Sequence, residues 1–359
     1  MNDPIDAVIT WVDGADPAHL ARRTAHADEM PDRDPRACAA TRYDSSGEIY
    51  FALASLLKHA PFLRHIWLVT DRQTPARLPD FEAEGICAPG RIRIVDHRQI
   101  FEGHESRLPS FNSNAIEAML CRIPGLSERF LSLNDDFVIT RPVTEADFFD
   151  GPRPRLYARP QLQRSQPPKV KLRRLLRWLT FRPAVDVFKF DHAADLAARL
   201  CGETRYSLLP FHSPRAMRRS LLESFHRNHP RQLQRQITPR FRTPRQYLVP
   251  ALTCQLALRQ AGGILDTGEA RHALLEGSAP DLPDRLEEVL NTPAKHFLCI
   301  QSLDQAPTAS RRLVQARLTM LLRSHLPRSL AADAGEPERP WVGGWPDVRP
   351  GTVAAGPAG

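Results

Sequence analysis

Hydrophobic residues in the first 150 positions form short apolar runs that alternate with segments of helical spacing. The apolar runs predict four strands, over residues 5–12, 65–70, 91–96 and 130–134. Apolar positions three and four residues apart predict helices over 47–60 and 113–123. Strands that alternate with helices form a parallel sheet covered on both faces, so we predict an α/β fold.

Carboxylates follow three of the predicted strands at their C-terminal ends. Asp13 follows the first strand, Asp71 follows the second, and Asp135 and Asp136 come directly after Phe130 to Asn134. The carboxyl ends of parallel strands meet at one rim of the sheet, where α/β proteins bind ligands. Two adjacent carboxylates repel unless a cation neutralises them, and a divalent ion on diphosphate oxygens is one such cation. A solvated Asp-Asp turn is the alternative that this pattern alone leaves open.

The alternation of apolar runs and helical segments ends after Phe149. Residues 151–166 are rich in Pro, Arg and Gln and predict a loop. Val170 to Leu179 places leucines on one helical face with Arg and Lys around them. Such a helix is a candidate for contact with an anionic membrane surface, whereas an ordinary helix packed on the domain is the alternative.

The remaining residues predict a mostly helical companion to the α/β part. We divide the chain into an α/β core over 1–150, a basic insertion over 151–190, and an α-rich region over 191–305. Within the α-rich region, residues 295–300 predict one short strand. A helix over 307–326 and a disordered tail rich in Pro, Gly and Ala complete the chain over 306–359.

Composition narrows the class of partner. The net charge of +8 suits an anionic partner such as a nucleotide, a phosphopolymer, nucleic acid or an anionic lipid surface. No motif that reads a nucleic-acid groove is present, so we expect no nucleic acid. Six cysteines without a C-x-x-C pair argue against a zinc site and a disulfide framework. Without a signal-like or bilayer-spanning stretch, we expect a cytoplasmic protein, with the basic helix as a candidate for peripheral contact at the inner face of the cell membrane.

Four separated blocks then carry a resemblance to a known family. They are Ile5 to Pro17, Arg42 to Phe149, Pro210 to Pro214 with Phe241-Arg242, and Lys295 to Ile300. In this order they resemble the Stealth family of sugar-1-phosphate transferases. That family includes bacterial capsule polymerases and the enzyme that tags lysosomal glycoproteins with N-acetylglucosamine phosphate. The second block is the most specific, because ordered motifs of this length rarely recur by chance.

The resemblance implies a glycosyltransferase-A-like nucleotide domain and a particular reaction. An acceptor sugar hydroxyl would attack the β-phosphorus of a nucleoside-diphosphate sugar. The products would be a sugar phosphodiester on a surface or capsular polysaccharide and a nucleoside monophosphate. Mg²⁺ or Mn²⁺ would be the cofactor, because phosphoryl transfer relies on charge stabilisation by metal ions and by Arg or Lys.

The resemblance also assigns site residues. His212 would be the general base, Arg242 would contact the transferring phosphate, and Asp16, the third catalytic candidate, would be a further metal ligand or hold a donor hydroxyl. Asp135 and Asp136 would hold the metal ion. The candidates for binding substrate are Trp11, Asp13, Arg42, Asp71, Gln73, Asn112 and Asn114. Packing or solvated roles remain the alternatives: a core Trp11, a packed or capping His212, a solvated Arg242, a helix start at Asn112 and Asn114, and an Arg42–Asp44 pair.

The sequence departs from the family pattern at three places, one of which is Asp71-Arg72-Gln73 in place of the more usual Asn/Asp-Gly-Gln. Tyr50 and Ala54 stand where many members carry Arg, and Gln301-Ser302 stand where the fourth block usually continues into Asn-Asp. Two other functions therefore remain open. One is a conventional glycosyltransferase that releases a nucleoside diphosphate, and the other, which no motif supports, is a non-catalytic binder of acidic polymer or nucleic acid.

Overall fold

A computed structural model describes residues 3–29, 43, 46–163 and 188–332. The helix predicted over 170–179, the candidate Arg42 and the tail beyond residue 332 lie outside these residues. None of the helices in the described ranges is long and apolar enough to cross a membrane.

Twelve strands occur within the described ranges. They are β1 (Ile5–Thr10), β2 (Leu63–Thr70), β3 (Ile92–Asp96), β4 (Arg129–Asn134), β5 (Phe137–Ile139), β6 (Phe149–Asp150), β7 (Arg153–Leu162), β8 (Tyr206–Pro210), β9 (Arg215–Arg218), β10 (Ile264–Asp266), β11 (His272–Glu276) and β12 (Phe297–Gln301). The α-helices described are α1 (Pro17–Ala25), α2 (Glu48–His59), α3 (Leu78–Ala83), α4 (His97–Ile100), α5 (Ser113–Met119), α6 (Phe190–Leu200), α7 (Arg219–Asn228), α8 (Pro230–Ile237), α9 (Val249–Gln260), α10 (Leu282–Asn291), α11 (Thr308–Leu322) and α12 (Arg328–Ala332).

The central sheet has five strands in the order β3-β2-β1-β4-β9. β1 to β4 are parallel, and β9 runs antiparallel to β4 at the edge. Thr10 lies beside Val69 on one side and Asn134 on the other, so three strand ends meet at one rim. The predicted α/β core and the predicted convergence of its strand ends are confirmed.

Side-chain alternation along β1 explains why both faces of this sheet are covered. Ala7 and Ile9 point into one core with α2, whereas Val8 points into a second core with α5 and α9. A strand buried on both faces needs a nearly continuous apolar run, as β1 has. The buried Asp6 interrupts this run, and it accepts hydrogen bonds from Arg64, Trp67 and two backbone N–H groups.

Two smaller sheets flank the central one. β10, β7 and β6 form one, with β8 also paired to β7, and β11, β12 and β5 form the other. The loop predicted over 151–166 is wrong for most of its length, because β7 occupies Arg153–Leu162. Two prolines and three arginines interrupt its apolar pattern, so the sequence does not indicate a strand. Pairing with β6, β8 and β10 stabilises it in the fold. Likewise, the region predicted to be α-rich also contains the five strands β8 to β12.

Candidate functional site

A cavity of about 590 Å³ opens at the carboxyl rim of the central sheet. The residues that follow β1, β2 and β4 line it, together with α5, the loop before β9 and the end of β12. Seven of the predicted site residues line this one cavity: Trp11, Asp71, Asn114, Asp135, Asp136, His212 and Arg242. Asp13, Asp16, Gln73 and Asn112 do not line it, and Arg42 lies outside the described residues.

Asp135 and Asp136 occupy the short turn between β4 and β5. β5 pairs antiparallel with β12, and this pairing brings the thiol of Cys299 to 3.3 Å from Oδ2 of Asp136. The other carboxylate oxygen, Oδ1, is buried without a hydrogen-bond partner within the described ranges. Burial, and then the charges of Asp136 and Glu48, raise the pKa of Asp135 well above its usual range, and burial raises the pKa of Asp136 to about 6. Both shifts show that this turn disfavours two negative charges in the absence of a cation.

The acidic pair has a donor set that fits a hard divalent cation. No third Asp, Glu, His or Cys of the described residues joins the pair to form a complete protein cage. Mg²⁺ usually takes only one or two carboxylates and fills its remaining positions with water and substrate phosphates. The unpartnered Oδ1 of Asp136 and the raised pKa values therefore agree with a metal site that substrate would complete.

His212 lies in the loop between β8 and β9 and is half-buried at the cavity wall. The backbone of this loop is fixed, because Phe211 N–H donates to the Tyr157 carbonyl and Ser213 N–H donates to Phe211. Burial, and then the charge of Arg215, lower the pKa of His212 to about 4. The imidazole is therefore neutral at pH 7 and has a lone pair available to accept a proton.

Arg242 reaches the cavity from the loop between α8 and α9. Its guanidinium group donates to the hydroxyl of Ser113 and lies 4.9 Å from the ring centre of Phe188 and 5.5 Å from that of Phe190. The neighbouring Phe241 is buried and stacks on Phe111 at 5.2 Å, which anchors the loop. A guanidinium group fixed in this way can present its fork to a phosphate.

The loop after β1 is held by a reciprocal pair of hydrogen bonds. The Asp13 backbone N–H donates to Oε1 of Gln73, and Nε2 of Gln73 donates back to the Asp13 carbonyl. The Asp13 carboxylate accepts from Ala15 N–H, and the Asp16 carboxylate caps α1 by accepting from His19 N–H. In this structure these three side chains shape the loop, while Trp11 beside them lines the cavity.

The two asparagines at the start of α5 have different surroundings. Asn112 is fully buried, and its Nδ2 lies within 3.0 Å of the carbonyls of Pro239 and Phe241 and of Oε1 of Gln246. It therefore ties α5 to the loop that carries Arg242. Asn114 lines the cavity, and its buried Nδ2 has no hydrogen-bond partner among the described residues.

The end of β2 contributes a third group of polar residues. Asp71 lines the cavity and accepts two hydrogen bonds from the guanidinium group of Arg22, at 2.9 and 3.2 Å. His19 and His97 also line this side, and burial lowers the pKa of each to about 4. Sequence reasoning missed both histidines, because each is isolated in the chain.

Sequence reasoning also missed Glu117 and Arg215, which line the cavity beside the predicted residues. Burial raises the pKa of Glu117, while the charges of Arg215 and Arg242 oppose that rise. Both residues had a signal: Glu117 closes a motif of the second block, and Arg215 lies three residues after His212. Of the residues that depart from the family pattern, Tyr50 and Ala54 are buried in α2, whereas Gln301 and Ser302 line the cavity.

The fold and the cavity define an α/β protein with a polar ligand site at the carboxyl rim of a parallel sheet. Two conserved regions of one family match this part of the chain. Stealth protein CR1, conserved region 1, matches residues 3–27, and Stealth protein CR2, conserved region 2, matches residues 42–154. The chain belongs to the Stealth family, and the resemblance read from the sequence is confirmed.

Several curated relatives carry names from polysaccharide synthesis. An exopolysaccharide phosphotransferase of Streptomyces coelicolor is 35% identical over 302 residues, which cover 83% of this chain and 47% of that protein. A capsular polysaccharide phosphotransferase of Actinobacillus pleuropneumoniae is 37% identical over 148 residues, which cover 41% of this chain and 38% of that protein. The chain thus spans about half the length, or less, of these relatives.

Two solved glycosyltransferase structures show a more distant structural similarity to this chain. The galactosyltransferase LgtC, in complex with donor and acceptor sugar analogs, has a TM-score of 0.37 and 12% identity, covering 89% of this chain and 95% of that one. Mouse xyloside xylosyltransferase 1 has a TM-score of 0.32 and 11% identity, covering 82% and 97%. TM-scores this low carry no information about the site.

Proposed function

We propose that this protein transfers a sugar-1-phosphate from a nucleoside-diphosphate sugar to a hydroxyl group of a surface or capsular polysaccharide, with release of a nucleoside monophosphate. One observation carries the proposal. A single cavity combines two adjacent carboxylates, a neutral histidine and the guanidinium group of Arg242 in a chain of the Stealth family. These are the groups that phosphoryl transfer to a hydroxyl needs.

Asp135 and Asp136 would hold a divalent cation, for which Mg²⁺ and Mn²⁺ are the candidates. When bound, this ion would neutralise charge on the diphosphate. The unpartnered oxygen of Asp136 and the pKa values raised by burial support this assignment. Trp11, Asp71 and Asn114 line the same cavity and are our candidates for binding the donor or the acceptor.

His212 would accept the proton of the acceptor hydroxyl. Its imidazole is neutral at pH 7, because burial and Arg215 lower its pKa to about 4. Donor phosphates that enter the cavity would raise this pKa towards the working pH, since negative charge favours the protonated ring. Arg242 would contact the transferring phosphate, whose charge its fixed guanidinium group complements.

Asp13, Asp16 and Gln73 would act by shaping the loop after β1. Their hydrogen bonds run to backbone groups of that loop and of α1. Asn112 would act in the same indirect way on the Arg242 loop. We therefore propose these four as positioning residues, while Trp11, Asp71 and Asn114 remain candidates for direct contact.

The experiment identifies the nucleotide that leaves the donor. The protein is incubated with Mg²⁺, a panel of nucleoside-diphosphate sugars and capsule-type oligosaccharides, and the released nucleotide is identified by mass spectrometry. Release of the monophosphate by the wild type and its loss in His212→Ala support the proposal. Release of the diphosphate would instead indicate a conventional glycosyltransferase.

A further inference from the structure

Arg215 is a second cation of the cavity, and the function as proposed gives it no contact with substrate. It is the first residue of β9 and lies beside Ser132 of β4. Its side chain lines the cavity together with His212 and the acidic pair. The edge strand β9 therefore delivers a guanidinium group to the rim where β4 ends.

The contacts of Arg215 hold it without neutralising it. Nη1 donates to Oδ1 of Asn134 at 3.3 Å, and the guanidinium carbon lies 5.0 Å from the ring centre of Phe137. Among the described residues, Arg215 forms no ion pair with a carboxylate, and its buried Nε has no hydrogen-bond partner. Arg218 on the same strand, by contrast, is paired with a carboxylate, since its Nε lies 3.0 Å from Oε1 of Glu128.

Arg215 shares one cavity with the groups that would take part in the reaction. The acidic pair Asp135 and Asp136, the candidate base His212, and Glu117 line that cavity together with it. A guanidinium group in this cavity is therefore available to a phosphate that enters between these groups.

We propose that Arg215 binds a phosphate group of the donor diphosphate. This inference rests on the proposed function. A guanidinium group held by a neutral oxygen and an aromatic ring keeps its full charge, and its free N–H groups fit phosphate oxygens in a fork. The site would thus carry two arginines, Arg215 and Arg242, so that the diphosphate is bound by protein cations as well as by the metal ion.

The test compares phosphate-bearing and phosphate-free probes. Isothermal titration measures the binding of uridine, cytidine, adenosine and guanosine diphosphates, and of the corresponding nucleosides, with and without Mg²⁺. For the diphosphate that the wild type binds, Arg215→Ala should bind about 10- to 100-fold more weakly, because hydrogen bonds to a charged group are lost. Nucleoside binding should not change. Arg227, which is exposed and outside the cavity, provides the matched control Arg227→Ala.

Two further measurements separate binding from a structural role. Guanidinium ion should restore part of the diphosphate affinity of Arg215→Ala, and Arg215→Lys should recover less than the wild type because it lacks the fork. Equal diphosphate binding by the wild type and Arg215→Ala would overturn the inference. An equal loss of nucleoside and diphosphate binding would also overturn it. Because titration needs no turnover, a failure here differs from a failure of the proposed function, which would appear as absent monophosphate release.

Discussion

The thiol of Cys299 lies 3.3 Å from Oδ2 of Asp136 and joins strand β12 to the acidic pair after β4. The contact crosses 163 positions of sequence and depends on the pairing of β12 with β5. Phe137, the first residue of β5, pairs with Cys299 itself. The fourth family block thus lies against the motif that would hold the metal ion.

Cys299→Ala should raise the Mg²⁺ concentration needed for half-maximal monophosphate release by about 10-fold. Partners that orient a metal-binding carboxylate commonly have effects of this size. Cys299→Ser keeps a donor at the same place and should stay close to the wild type. Measuring initial rates across an Mg²⁺ titration checks both variants. An unchanged Mg²⁺ requirement in Cys299→Ala would show that the thiol does not position Asp136.

In the metal-free protein, the contribution of Asp136 to stability should fall as the pH rises from about 4 to about 6, whereas buried histidines such as His19 and His97, whose pKa is lowered to about 4, contribute in the opposite direction. Burial raises the pKa of Asp136 from 3.8 in the unfolded chain to about 6 in the fold, so the folded state holds this proton longer. Above pH 4 the unfolded state releases its proton first, which favours unfolding until the folded carboxyl also ionises. The difference in melting temperature between the wild type and Asp136→Asn across this range isolates the contribution of Asp136, and a difference that does not change with pH would contradict it.

Asp136→Asn should remove this contribution to the pH dependence and should abolish monophosphate release without unfolding the protein. An amide cannot ionise, so one source of the pH-dependent loss of stability disappears. Mg²⁺ should stabilise the wild type at pH 7 and should stabilise the variant less. Wild-type activity in Asp136→Asn would exclude Asp136 from the metal site.

His212→Ala should reduce turnover by at least about 100-fold, the usual lower range for losing a general base. Folding should be unaffected, because the ring is only half-buried. In saturating Mg²⁺, the acidic limb of the pH profile of kcat/KM, which reports the donor-free enzyme, should lie below the ordinary histidine value of 6.5, since burial lowers the pKa of His212. Full activity in His212→Ala would remove His212 from the mechanism.

Asp6→Ala should destabilise the fold by about 3 kcal/mol, because it leaves a buried group of donors without their shared acceptor. The Asp6 carboxylate accepts from Arg64, Trp67 and the backbone N–H groups of His65 and Ser127. Urea unfolding measures the loss. As a control, Arg98→Ala removes an exposed partner of Asp96 and should leave the free energy of unfolding near the wild-type value. A wild-type midpoint in Asp6→Ala would contradict this account.

The sequence predicted the central sheet well because its strands are buried on both faces. Predicted and observed bounds differ by about two residues for β1 to β4, and the helix predicted over 307–326 is observed as Thr308–Leu322. β7 was missed because Pro154 and Pro160 break its apolar pattern. Its stability comes from three neighbouring strands, and such distant pairing leaves no local signal.

The sequence predicts the site residues that belong to family motifs. It does not predict the residues that only strand pairing brings into the cavity. Asp135, Asp136, His212 and Arg242 belong to family blocks, and all four line one cavity. Arg215 reaches the cavity only because β9 pairs antiparallel with β4. The family motifs predict substrate contacts for Gln73 and Asn112, yet the described hydrogen bonds of these side chains run to the backbone at Asp13, Pro239 and Phe241 and to the Gln246 side chain. That difference depends on side-chain direction, which a sequence pattern does not encode.

The most direct test of the central claim is the identity of the nucleotide released from the donor sugar. We predict a nucleoside monophosphate, formed only with Mg²⁺ or Mn²⁺ and lost in His212→Ala and Asp136→Asn. Mass spectrometry of the reaction mixture distinguishes the monophosphate from the diphosphate directly. A nucleoside diphosphate as the sole product would contradict transfer of the sugar phosphate and would assign this cavity to transfer of the sugar alone.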